Sequence, residues 1–423
     1  MESAEKFLIS GGRTLEGEIE TRGAKNAALK AFAASFLFNE PIIIKNVPLI
    51  NDVFKIIKLI EFLGGKVSRE GKRVFKVSVN SANSHILDSK ISKSIRASVV
   101  LIGPLLVRFG RVQFPHPGGC VIGERPIDVF LEGFEKLGAK FRMEGENYIL
   151  EVKELKGAEI IFKKVSVTAT ETIMMAAAFA KGKTILYNAA CEPEISALAD
   201  FLNVSGAKIK GAGTYKIEVT GVKKLKFKKP YEIIPDRIEA GSFATVAAML
   251  GKEIKITRCE PRHLLVFLEY IKSVGANVEH GKDWLKISAP KKLTAIDIKT
   301  HEYPGFPTDL QAPFTILLTQ AEGKSLITET IFEGRLNYIE DLNKMGAKII
   351  SCDPHRIIVE GVSSLKGKNL ESPDLRAGLA FVLAALCAEG NSTIHGIDKI
   401  DRGYEKIEER LQKLGAEIKR IKS

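Results

Sequence analysis

Hydrophobic and polar positions along the chain repeat one pattern six times. Apolar residues at helical spacing run into a Gly-Ala or Gly-Gly pair, and an alternating apolar segment follows directly. The pairs stand in Leu63-Gly64-Gly65-Lys66, Leu137-Gly138-Ala139-Lys140, Ser205-Gly206-Ala207-Lys208, Val274-Gly275-Ala276-Asn277, Met345-Gly346-Ala347-Lys348 and Leu414-Gly415-Ala416-Glu417. Their first glycines are 74, 68, 69, 71 and 69 residues apart. A period this steady marks a repeated supersecondary unit. Each unit predicts an amphipathic helix closed by a left-handed glycine cap. A strand such as Ala347-Lys348-Ile349-Ile350 follows, and often a second, such as Arg356-Ile357-Ile358-Val359-Glu360, completes a hairpin. A further strand and helix stand upstream, so about four strands and two helices per unit place the chain in the α/β class.

Three units precede residue 230 and three follow it. The run Lys223-Lys224-Leu225-Lys226-Phe227-Lys228-Lys229-Pro230 reads as the link between them. The strand and turn from Lys6 to Gly12 belong to no complete unit. Because the sixth unit ends the chain without a closing hairpin strand, the N-terminal strand is expected to pair with the second half. One domain of residues 22–230 and a second of 1–21 with 231–423 follow from this.

Composition narrows the class. At 423 residues the chain exceeds one ordinary core, and 45% apolar with 27% charged residues is a folded composition. The longest apolar runs, such as residues 379–388, fall well short of the roughly 20 that span a bilayer. The start carries neither a basic leader nor an apolar stretch of the secretory kind, so a cytoplasmic location and no membrane partner are expected. Five cysteines, at 120, 191, 259, 352 and 387, form no CxxC pair, and seven histidines are scattered; free thiols and no metal are expected. The net charge of +12 admits nucleic acid or small anions. With few aromatics interleaved among its lysines, the basic run is a solvated strand end, and no nucleic-acid partner is expected.

Four stretches carry candidate chemistry. Residues 116–128 hold three glycines, two prolines and Cys120, which precedes Arg125. Such a loop presents either a reactive thiol or a bystander in a tight connection. Lys25 and Asn26 open an apolar helix after Gly23, suiting either an anionic ligand or a capping turn. Arg125, Arg335, Arg376 and Arg402 sit in polar loops, Arg376 and Arg402 close after an aspartate, and could bind an anion bidentately or form surface ion pairs. Asp309, after Pro304 and Pro307, is either a helix cap or a general base. Asp236 repeats that setting, and a structural role is expected there.

Read in order, the segments 23–29 (GAKNAAL), 117–128, 166–170, 235–243, 303–312, 332–335, 374–378 and 400–405 resemble the enolpyruvyl transferase family, in the branch that acts on UDP-N-acetylglucosamine. The similarity runs through the whole chain. It implies a two-domain inside-out α/β barrel, each domain three repeats of about 70 residues, with the active site in the inter-domain cleft. It implies transfer of the enolpyruvyl group of phosphoenolpyruvate to the 3′-hydroxyl of UDP-N-acetylglucosamine, with release of phosphate, in peptidoglycan precursor synthesis. No cofactor and no obligate protein partner belong to that reaction.

The resemblance also assigns residues. Cys120 matches the proton donor that fosfomycin alkylates, and Asp309 the group that receives the hydroxyl proton. Lys25, Arg125 and Arg402 match cations around phosphoenolpyruvate. Asn26, Arg96, Pro126, Ile127, Asp128, Ser166, Ile331 and Arg335 match positions at the sugar nucleotide, and Asp374 and Arg376 line the same cleft. Phe130 replaces a common histidine, Thr168 a frequent glycine and Lys30 a frequent proline. The related branch that uses shikimate 3-phosphate lacks the Pro-Gly-Gly-Cys loop, and a non-catalytic nucleotide-sugar binder would not need the acid, base and cations together.

Overall fold

The structure, a computed structural model, describes residues 5–118 and 127–422. It divides into two compact units. One comprises residues 5–22 and 235–422, the other 23–118 and 127–234. Each has its own hydrophobic core. The lysine run does not end the second unit. Tyr231–Glu232 still pairs in parallel with strand Ile42–Lys45, and Tyr231 is buried against Phe201 with ring centroids 4.6 Å apart. Two residues of strand pairing and one buried ring therefore carry the chain past the charged segment expected to be the link.

Among the described residues each repeat contributes one small sheet, antiparallel in the second repeat and mixed in the other five. The third repeat shows the plan. Strand Glu159–Ile161 lies parallel to Lys183–Tyr187, a pairing that requires a crossover, and helix Val167–Ala177 supplies it. Lys216–Thr220 then pairs antiparallel with Lys183–Tyr187, and Lys208–Lys210 covers its other edge. In the sixth repeat the strand Glu5–Ser10 completes the sheet. It pairs antiparallel with both Asn391–His395 and Glu417–Lys422. Leu15–Glu20 supplies the parallel strand of the fourth repeat, beside Gly251–Thr257.

The six repeat glycines all have positive φ: 88° at Gly64, 95° at Gly138, 107° at Gly206, 100° at Gly275, 104° at Gly346 and 96° at Gly415. A side chain is costly in that region, which is why glycine recurs where each helix turns into its strand.

Helices Val167–Ala177, Arg237–Leu250, Gln311–Thr319 and Leu375–Cys387 are enclosed on all sides over most of their length. Their sequences are rich in alanine and other apolar residues, as an enclosed helix requires, with buried polar side chains among them such as Glu171, Glu239 and Arg376. The sheets bury one face only, and alternate accordingly. Among the described residues no helix is long and apolar enough to cross a membrane.

Candidate active site

Candidate residues cluster at the starts of the enclosed helices. In the unit of residues 23–118 and 127–234, helix Lys25–Ala34 begins at Lys25, whose Nζ lies 3.4 Å from the buried carboxylate of Asp52. Asn26 is in the same first turn. Arg96 donates from Nη1 to the carbonyl of Pro117 at 3.4 Å, bracing the chain just ahead of the cysteine loop. Ser166 caps helix Val167–Ala177, its Oγ accepting from the Ala169 amide at 3.3 Å. Ile127 is buried at the start of helix Asp128–Lys136, and Asp128 lies in the first turn, where the helix dipole favours a carboxylate. Cys120, Arg125 and Pro126 lie outside the described residues. Of the departures from the family pattern, Phe130 is a core side chain.

Lys30 forms an ion pair with Glu171, Nζ to Oε2 3.0 Å, and both are buried. Burial pushes the Glu171 carboxyl up to about 7; Lys30 opposes this, and the charges of Glu194 and Glu192 add to it. The folded chain therefore keeps a proton that the unfolded chain, with an ordinary value of 4.5, releases. Stability from this group is present below pH 4.5 and lost as pH rises to about 7. In urea unfolding at pH 5, 6, 7 and 8, Glu171→Gln is expected to flatten that decline. An unchanged slope would remove Glu171 as its cause.

The unit of residues 5–22 and 235–422 holds the denser cluster. Asp309 sits in the turn Thr308–Leu310 ahead of helix Gln311–Thr319, and it does not cap that helix. Its Oδ1 accepts from Arg335 Nη2 and its Oδ2 from Arg376 Nη2, each at 2.9 Å. The arginines are 4% and 5% exposed, so the surface-pair reading does not hold for either. Arg376 Nη1 donates to Tyr404 Oη at 2.8 Å, which meets Ser242 Oγ at 3.0 Å. This chain of contacts joins the second turn of helix Arg237–Leu250 and the first turn of Leu375–Cys387 to the turn before Gln311–Thr319. Burial acts to lower the Arg376 pKa, but Tyr404, Asp309 and Asp236 outweigh it and raise the value, so the guanidinium stays charged. Burial also raises the Tyr404 phenol, against the pull of Arg376. Arg335 Nε and Nη1 have no hydrogen-bond partner among the described residues. Buried donors of this kind are ready for an anionic or carbonyl-bearing ligand.

Four more candidates are placed by local contacts. Asp374 caps helix Leu375–Cys387, accepting from the Arg376 and Ala377 amides at 2.7 and 3.2 Å. Asp236 caps Arg237–Leu250 in the same way, in agreement with the structural role expected for it. Ile331 donates its amide to Glu329 at 2.8 Å. Arg402 ends the turn Ile400–Arg402, which is fixed from two sides. Asp401 is held bidentately by Arg420 at 2.7 and 2.9 Å, and Gly403 packs so close to Leu375 that a Cβ would come within 2.6 Å of Cδ1.

Tyr404, Ser242, Glu329 and Arg420 were not singled out by their sequence context. One signal was present for the rest. Lys25, Arg96, Ser166, Asp236, Asp309 and Asp374 each stand roughly 40 residues before a repeat glycine, at or beside the start of a helical segment. Among the described residues no group of histidine, cysteine and acidic side chains is arranged to hold a metal ion. Burial pushes the thiols of Cys259 and Cys387 up to about 12, as befits core side chains.

The repeated α/β fold and the sequence together place the chain among the enolpyruvyl transferases. The sequence matches the EPSP synthase (3-phosphoshikimate 1-carboxyvinyltransferase) family over residues 9–411. The fold is shared with the enolpyruvyl transferase NikO from Streptomyces tendae, at a TM-score of 0.90 and 23% identity over 100% of both chains. It is shared with EPSP synthase from Acinetobacter baumannii at 0.73 and 18%, over 99% of this chain and 100% of that one. Sequence relatives are closer. UDP-N-acetylglucosamine 1-carboxyvinyltransferase 1 of Carboxydothermus hydrogenoformans is 43% identical over 99% of this chain and 98% of its own length. The corresponding enzyme of Thermodesulfovibrio yellowstonii is 43% identical over 99% and 100%. The chain belongs to the family of UDP-N-acetylglucosamine 1-carboxyvinyltransferases.

Proposed function

We propose that the chain moves the enolpyruvyl group of phosphoenolpyruvate onto the 3′-hydroxyl of UDP-N-acetylglucosamine, releasing phosphate, as the first committed step of peptidoglycan precursor synthesis. Each unit is then read as an inside-out α/β barrel, with helices within and sheets without. C3 of phosphoenolpyruvate takes a proton from the Cys120 thiol, and an ordinary thiol, with a pKa of about 8.5, carries one to give at neutral pH. The 3′-hydroxyl bonds to C2 as its proton passes to Asp309. The tetrahedral ketal then loses phosphate while a C3 proton returns to the Cys120 thiolate, restoring the carbon–carbon double bond and the thiol. Lys25, Arg125 and Arg402 hold the anionic groups beside the reacting carbons, where charge stabilisation counts most. Asn26, Arg96, Pro126, Ile127, Asp128, Ser166, Ile331 and Arg335 bind or shape the nucleotide-sugar site, with Asp374 and Arg376 beside them.

The observation that carries this reading is Asp309. Two buried arginines hold its carboxylate while leaving its side chain 26% exposed, so it can accept a hydrogen bond from an incoming hydroxyl. A coupled phosphate-release assay tests the function. Release is expected only when UDP-N-acetylglucosamine and phosphoenolpyruvate are present together. Equal turnover with shikimate 3-phosphate in place of the sugar nucleotide would overturn the substrate assignment.

A further inference from the structure

Glu329 is a buried carboxylate that the reaction as written does not use. It follows strand Ala321–Thr328 and has no exposed surface. A carboxylate in a protein interior needs donors on both oxygens. Glu329 has four. Its Oε1 accepts from the Ile331 and Phe332 amides at 2.8 and 3.2 Å and from the Thr300 hydroxyl at 3.0 Å. Its Oε2 accepts from the Thr308 hydroxyl at 2.9 Å.

These donors lie on the segments that carry candidate site residues. Thr308 immediately precedes Asp309. Ile331 and Phe332 open the turn to Arg335, whose amide donates to the Phe332 carbonyl at 3.2 Å. The Arg335–Asp309 ion pair then closes a ring of contacts running from Glu329 through Thr308 and Asp309 to Arg335, Phe332 and back. Thr300 anchors the far side, accepting from the Thr330 amide at 2.8 Å.

We propose that Glu329 is a positioning residue for the transfer reaction: through Thr308 it fixes the Asp309 carboxylate relative to Arg335 and the Ile331 backbone, and so sets where the acceptor hydroxyl is held. The inference rests on the role given to Asp309 above. Glu329 itself touches no substrate. Its two oxygens have separable tasks, Oε1 holding the 331–332 turn and Oε2 holding Thr308. An ångström of drift at Thr308 passes directly to the neighbouring carboxylate, and misplacement on that scale slows the chemical step more than it weakens binding.

Three variants separate positioning from plain stability. Thr308→Val keeps the volume and removes the bond on the Asp309 side. It is expected to lower kcat about tenfold, the scale of one hydrogen bond to a charged group, with little change in KM for the sugar nucleotide. Thr300→Val removes a bond on the far side; its loss of stability is expected to be at least as large, with kcat within about twofold. Glu329→Gln keeps a carbonyl at Oε1 and offers an N–H that the Thr308 hydroxyl can accept, so it is expected to restore kcat to within about threefold of the parent. Wild-type kcat in Thr308→Val, an equal kcat loss in Thr300→Val, or a Glu329→Gln as slow as Thr308→Val would each overturn the inference. Asp309→Asn assayed alongside keeps the two claims apart. If that variant turns over normally, the role of Asp309 fails and the positioning claim with it. If it is inactive while Thr308→Val is normal, only the positioning claim fails.

Discussion

Exchanging Asp309 for asparagine is expected to lower kcat for phosphate release by about 10²- to 10⁴-fold, the range of a lost general base. Asparagine has nearly the same shape, but its amide cannot take a proton, and its NH2 end must face one of two arginine donors that now lack an acceptor. Arg335 and Arg376 are buried, and Asp309 is the carboxylate that both contact. Removing one partner of a buried ion pair costs about 3–5 kcal/mol. Asp309 is itself part-exposed and Arg376 retains Tyr404, so the lower end of that range applies. The variant should therefore fold, melt earlier and turn over very slowly. Single-turnover phosphate release measured well below the melting transition, with circular dichroism to confirm folding, checks both. A folded variant with parental kcat would end the case for Asp309 as the group that receives the hydroxyl proton.

The repeat was legible because its signals are local. A glycine cap needs only its own φ, and a sheet buried on one face needs only alternation. The strand Lys6 to Ser10 stood outside the repeats in the sequence, and it pairs with residues 417–422. What stayed hidden were long-range pairings. Arg376 and Asp309 are 67 residues apart, and nothing near either names the other. Read singly, Arg335 and Arg376 look like surface ion-pair residues, and only tertiary packing buries them. Glu329 looks like the polar end of a strand, and Tyr404 like a turn aromatic beside Arg402. The charged, proline-ended run at 223–230 read as a link because composition outweighs a two-residue strand in any local reading.

The steady offset between site positions and repeat glycines has a physical basis. Each enclosed helix starts where its free N–H groups need acceptors and where the surrounding core fixes the side chain's base. Asp236 and Asp374 spend a carboxylate oxygen on that capping. Asp309 instead lies inside a short turn ahead of its helix, and its two oxygens accept from Arg335 and Arg376. One insertion of local geometry thus turns a structural position of the repeat into a chemical one.

The Glu239–Arg410 pair is expected to show the largest stability effect, about 3–5 kcal/mol lost in Arg410→Met. Both guanidinium nitrogens Nη1 and Nη2 engage the Glu239 carboxylate, Nη2 also reaches the Glu20 carbonyl, and the group lies 4.7 Å from the centre of the Phe243 ring. Methionine fills similar volume and keeps contact with that ring, so the cavity contribution is small. What remains is a carboxylate only 3% exposed that keeps the Arg22 amide, at 2.7 Å, but loses its counter-charge. Adding Glu239→Gln removes that charge while the amide oxygen can still accept from Arg22. The double variant is therefore expected to recover more than half of the loss, as neutral replacements of buried pairs often do. Urea unfolding of the parent, both single variants and the double variant gives the coupling free energy directly. A double variant no more stable than Arg410→Met would place the cost in packing against Phe243 and not in the uncompensated charge.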